Sequence, residues 1–170
     1  PYMLFYLMCI GCALVASLST RLSMRFFSFH VISFLIVVLV VSSVKRYEQL
    51  RLMVALAVAG ITVAALYGCY QGYVGVEIVA SQQDMTVNYG MPGRVYSFFD
   101  NPNNFAELLV MLIPLDLGIL MAAKTWRGKL WSFAALLPCL AAIGLTYSRS
   151  GWIGLALAVC VFIALENWRL

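Results

Sequence analysis

The chain has 170 residues, 64% of them hydrophobic and 11% charged, with 11 Lys and Arg against 7 Asp and Glu for a formal net charge of +4. So few charges cannot cover the surface of a water-soluble domain. The apolar residues fall into runs near the roughly 20 residues that a helix needs to cross a ~30 Å hydrocarbon core, which argues against a soluble enzyme and for an integral membrane protein.

Six spans are predicted, over 2–20, 26–44, 51–70, 104–122, 130–147 and 151–166, giving an all-α, polytopic helical bundle with 1–170 as one transmembrane domain. The first run has no basic leader and no small-residue cleavage site, so it is read as a span and not as a signal peptide. Pro1 at the start, and Leu170 just past an apolar run, read as the limits of an excerpt from a longer polypeptide. Cys9-x-x-Cys12 lies in this first run. On one turn of a lipid-embedded helix, with no second pair and no histidine nearby, it reads as small-residue packing, and neither a disulfide nor a metal is expected. His30, the only histidine, falls near the outer end of the second span and reads as an interfacial residue.

Lys45, Arg46 and Arg51 follow the second span, Lys124, Arg127 and Lys129 follow the fourth, and Arg169 lies in the tail, which puts seven of the eleven basic residues on one side. That side is expected to be cytoplasmic. Arg21, Arg25, Arg94 and Arg149 fall on the other side, and the first two run against the trend. The one long connection, 71–103, carries Glu77, Asp84 and Asp100 against Arg94 and is expected to be extracytoplasmic. Tyr67, Tyr70, Tyr73, Tyr89, Tyr96, Phe98 and Phe99 cluster at the same level, where an aromatic belt forms at the head-group zone. Of these, Tyr96 and Phe98 are also candidates for stacking on a sugar ring.

Two polar islands interrupt the apolar pattern. In PGRVYSFFDNPNNFAEL (92–108), the run Asn101-Pro102-Asn103-Asn104 is a helix-start signal, because Asn accepts from orphan N–H groups and Pro at the first helical position has no N–H to leave unsatisfied. In TYSRSGW (146–152), Ser148 or Ser150 can cap the sixth span, Gly151 permits a tight turn, and Arg149 sits in the turn. Each island therefore sets an arginine, Arg94 or Arg149, ahead of a helix whose positive end points to the outer surface. A boundary arginine alone also suits lipid phosphate or a nearby acid such as Asp100. Two forked guanidiniums beside two helix N-termini suit a doubly charged, multi-oxygen anion such as a pyrophosphate, and would stabilise that group as it leaves.

The segment RVYSFFDNPNNFAELLVMLIPL, followed from Leu145 by LTYSRSGWIGLALA, resembles the core of the O-antigen ligase and polymerase superfamily over about residues 60–165. The resemblance implies a bacterial polytopic membrane glycosyltransferase with a GT-C-like helical core. Such an enzyme transfers a glycan from an undecaprenyl diphosphate carrier to a sugar, lipid or protein hydroxyl at the outer face of the plasma membrane, with no metal or other cofactor. It further implies that Arg94 and Arg149 hold the pyrophosphate and that Asn101, Pro102 and Asn103 form the helix-start motif; from their position in the islands, Asn101, Asn103, Tyr96 and Ser148 are the candidates for contact with substrate. Tyr96-Ser97 stands where members usually have a glycine, and Ser150 replaces the small residue after the second arginine. The histidine that members place in a later outer loop would lie beyond Leu170.

Glu107, one turn below Asn103, is a candidate to orient either arginine or to act as a base. Asp116, about 18 Å into the predicted fourth span, is half a turn out of phase with Glu107 and is read as structural, with Pro114 nearby to free a backbone partner. No phosphate-binding glycine loop, metal-ligand spacing or Ser/His/Asp set is present, and the short basic patches do not suit nucleic acid. Two other readings stay open: a transporter of a small anion such as inorganic carbon, and a non-catalytic envelope scaffold whose arginines anchor lipid.

Overall fold

A computed structural model describes residues 2–78 and 90–167. Six α-helices follow in order: α1 Tyr2–Val15, α2 Thr20–Ser43, α3 Tyr47–Val74, α4 Pro102–Ala122, α5 Trp126–Leu145 and α6 Arg149–Asn167, with no strand among the described residues. α2, α3, α4 and α5 are each long and apolar enough to cross a membrane, whereas α1 and the apolar stretch Arg149–Leu165 of α6 are shorter. At 1.5 Å per residue, α1 reaches only about 21 Å.

From α2 on, the helices begin earlier than the hydropathy pattern places them, and several of the differences have a local cause. α2 takes in Arg21 and Arg25, since a charged side chain does not stop a helix. α5 starts at Trp126 because the Thr125 hydroxyl caps it, accepting from the Gly128 N–H at 3.2 Å. α3 runs on to Val74 and ends at Gly75, whose φ of +90° is a left-handed stop suited to glycine. The connection expected over 71–103 therefore shortens to 75–101, and Asp84 and Tyr89 within it, like Arg169, lie outside the described residues.

Two compact units are present, Pro1–Arg51 and Leu52–Leu170. In the first, α1 and α2 pack on each other, with the Tyr6 ring 5.9 Å from His30 and the His30 Nδ1 2.8 Å from the Phe26 carbonyl of its own helix. His30 is thus tied to its own helix. No residue of α1 or α2 is buried, and their Leu, Ile, Val and Phe side chains point outward. That is the pattern of a helix solvated by lipid and not by water.

In the second unit, α4 packs directly on α5 and α6. Gly151 makes the α4–α6 approach possible: a Cβ there would meet the Ala106 Cβ at 2.9 Å. α3 is different. Its Cα atoms stay more than 8 Å from those of α4 and α5, and bulky side chains fill the gap. Phe105, fully buried, presses toward Gly68 with Val95 beside it, and Ile61, Ala65, Leu109 and Ala142 complete the core.

Candidate functional site

The two polar islands meet at the end of the second unit where α3 finishes and α4 and α6 begin. Asn101 caps α4, its Oδ1 accepting from the Asn103 N–H at 2.8 Å, and Pro102 occupies the first helical turn. Ser148 caps α6, its Oγ accepting from the Gly151 N–H at 3.3 Å. Of the two serines that the sequence offered for this cap, Ser148 takes the role, and Ser150 sits behind it with its hydroxyl 3.1 Å away.

Asn103 and Arg94 join the islands. The Asn103 Oδ1 accepts twice, from the Arg94 Nη2 at 2.6 Å and from the Ser148 Oγ at 3.1 Å. Arg94 also donates from Nε to the Thr146 carbonyl at 2.8 Å, and the next residue, Val95, donates its N–H to the Leu145 carbonyl at 3.1 Å. One guanidinium thus ties the loop before α4 to α4 itself and to the α5–α6 turn. Both lone pairs of the Asn103 carbonyl are used, so the carboxamide cannot flip and its NH2 group, on an exposed residue, faces away from this network. Partial burial pushes the Arg94 guanidinium below the ordinary arginine range, through loss of water around the charge. It stays protonated at any pH at which the protein is handled.

The backbone is held in unusual conformations at both islands. Among the described non-glycine residues only Ser97, with φ of 56°, and Tyr147, with φ of 49°, are left-handed. Such residues cost about 1 kcal/mol or more each, and persist where neighbours over-determine them. Tyr147 follows the last residues of α5 and donates its N–H to the Gly144 carbonyl, a helix-terminating geometry. Ser97 is buried and clamped: its Oγ donates to the Ala64 carbonyl at 2.6 Å, and the Gln71 carboxamide takes its N–H at 2.7 Å and gives to its C=O at 3.2 Å. Gly93 completes the loop's path, because a Cβ there would lie 2.0 Å from the Val76 carbonyl oxygen.

Of the residues singled out from the sequence, Arg94, Asn101, Asn103 and Ser148 belong to one hydrogen-bonded cluster. Arg149 follows directly on Ser148 and opens α6, with an exposed side chain that makes no hydrogen bond or ion pair among the described residues. Glu107 is likewise exposed on α4, and no described contact ties it to either arginine. Tyr96 is half-buried, and among the described residues its backbone carbonyl accepts from the Phe99 N–H at 3.0 Å. Phe98 lies flat on Tyr67 at 4.5 Å between ring centroids, with Tyr70 stacked next at 6.2 Å, so one Phe98 face is taken and the residue remains largely exposed. Gln71, Ser97 and the Thr146 carbonyl were not anticipated. Gln71 was visible as a lone carboxamide near the C-terminal end of an apolar helix, while Ser97 and Thr146 act through backbone geometry that no motif announces.

Asp116 lies away from this cluster, buried on α4 about 21 Å along from its first residue. Its partner is Ser132 of α5, whose hydroxyl contacts both the Asp116 carboxyl and, at 3.0 Å, the Asp116 backbone carbonyl. Compared with protein-family models, with curated proteins and with solved structures, the chain shows no match.

Proposed function

We propose that the chain is the transmembrane core of a bacterial glycan ligase or polymerase. It would move a glycan from a polyprenyl diphosphate carrier to a hydroxyl acceptor, a sugar, lipid or protein, at the outer face of the plasma membrane. The observation that carries this reading is the Arg94–Asn103–Ser148 network, which sets one guanidinium against the first turns of α4 and α6 together. Breaking the sugar–phosphate bond leaves one further negative charge on the departing diphosphate and raises its demand for donors. The first-turn N–H groups of two helices, the Asn103 NH2 and a cation fixed in advance supply donors that need no reorganisation. Arg149, opening α6 beside Ser148, would swing onto the phosphates from the exposed side, and Arg94, already braced by Thr146 and Asn103, would serve as the fixed member of the clamp.

Membrane helices that carry the lysines and arginines of 45–51 and 124–129 at their opposite ends support an outward-facing site by the usual bias of positive charge toward the cytoplasm. The acceptor hydroxyl needs a base or a positioning group; Glu107, exposed one turn below Asn103, is the nearest carboxylate along α4 and fills that role in this reading.

The test is transfer of glycan from a polyprenyl diphosphate donor by membranes carrying Arg94→Lys or Arg149→Lys at unchanged protein level. Lysine keeps the charge and loses the planar fork. Each variant is expected to lose about 10- to 100-fold in transfer, the cost of one strong transition-state contact. Wild-type transfer in both variants would remove the clamp, and uptake of a small anion in place of transfer would favour a transporter.

A further inference from the structure

At the other end of α4, the gap between α3 and the α4–α5 pair holds a cavity of about 570 Å³. Its walls are small or apolar, including Ala59 and Gly128, with Asp116, Thr62 and Ser132 as its polar members and Trp131 beside them. Trp131 is largely exposed, so the cavity opens sideways from the bundle toward lipid. Its size matches that of pockets for small ligands.

The hydrogen-bond accounting selects the ligand's chemistry. Thr62 spends its hydroxyl proton on the Val58 carbonyl at 2.7 Å, and Ser132 spends its proton on Asp116. Asp116 is 3% exposed, and its Oδ2 is buried without a hydrogen-bond partner. A carboxylate contributes acceptors only. The polar corner of the cavity therefore has no spare hydroxyl donor, and an ionised carboxyl in a membrane interior is costly until it is protonated or a donor or cation meets it. Asp116 is among the residues that line the cavity, and the Ser132 hydroxyl also lies within bonding distance of the Asp116 backbone carbonyl.

We propose that this cavity binds a lipophilic primary amine, with Asp116 as counter-ion to the ammonium group and the apolar walls of α3, α4 and α5 around its chain. The site is separate from the Arg94 network and does not depend on the function assigned to it. An acid or a phosphate headgroup is repelled by the same carboxyl, and an alcohol of equal chain length gains the walls without the charge pairing.

The test uses the purified chain in uncharged detergent micelles and an ω-bromoalkylamine, whose bromine quenches tryptophan fluorescence on contact. Saturable quenching that disappears in Trp131→Phe reports this cavity. The amine is expected to bind at least about tenfold more tightly than the matching bromoalcohol, as a hydrogen bond to a charged group implies. Asp116→Asn, which preserves shape, is expected to abolish that difference, and Ala59→Leu, which fills the cavity without touching Asp116, to abolish saturable quenching by both. Equal binding of amine, alcohol and carboxylic acid overturns the proposal. So does an amine preference that survives Asp116→Asn, or, should that variant fail to fold, quenching that survives Ala59→Leu.

Discussion

Ser97 combines three constraints in one residue: a left-handed backbone, a buried hydroxyl on the Ala64 carbonyl, and both peptide groups held by Gln71. Replacing it separates them. Ser97→Ala keeps the backbone penalty and loses the hydroxyl bond, whereas Ser97→Gly loses the same bond and relieves the penalty. Denaturant unfolding in detergent is expected to find the alanine variant less stable than the glycine variant by about 1 kcal/mol. Gln71→Leu should cost about 2 kcal/mol on the same scale, because two peptide groups of Ser97 lose their partner at once. If the loop carrying Arg94 is aligned through Ser97, Gln71→Leu is also expected to lower the glycan transfer proposed above, although Arg94 itself is unchanged.

Among the elements, close approach is uneven and the glycines register it. Gly93 has no room for a Cβ against the Val76 backbone, and Gly154 has ordinary space, with the Val110 methyls 3.5 Å and more away. Gly93→Ala is expected to destabilise by about 1 to 3 kcal/mol, the usual cost of forcing extra atoms into a packed contact, and Gly154→Ala to be close to neutral; thermal melts of the two variants make the comparison. The helices themselves were legible from apolar runs, and the α4 start was legible from Asn101-Pro102. The Ser148 cap was legible as one of two choices. What escaped was geometry set by long-range contact. The Thr125 cap hid among charges, so α5 was predicted to start late, and the Gln71–Ser97 clamp joins residues that are 26 apart in sequence and carry no shared pattern. Arg94 and Asn103 stand nine residues apart within one island, whereas the bond from Arg94 to Thr146 joins the two islands through a carbonyl, which every residue has.

At the scale of the whole molecule, the division into Pro1–Arg51 and Leu52–Leu170 separates a two-helix unit with no buried residue from the unit that owns the core and the polar network. A chain beginning at Lys45, which keeps all of α3, is expected to retain the melting transition of the second unit in micelles within a few degrees; a collapse of that transition would show that α1 and α2 carry its stability. Within the second unit, α3 is fastened toward its C-terminal end, through Gln71 and Ala64 to Ser97, and its Cα atoms stand more than 8 Å from those of α4 and α5 along the stretch that borders the Asp116 cavity. Filling of that inner space is expected to tilt α3 more than it shifts the arginine-bearing loop, which is bonded to α3 through Ser97.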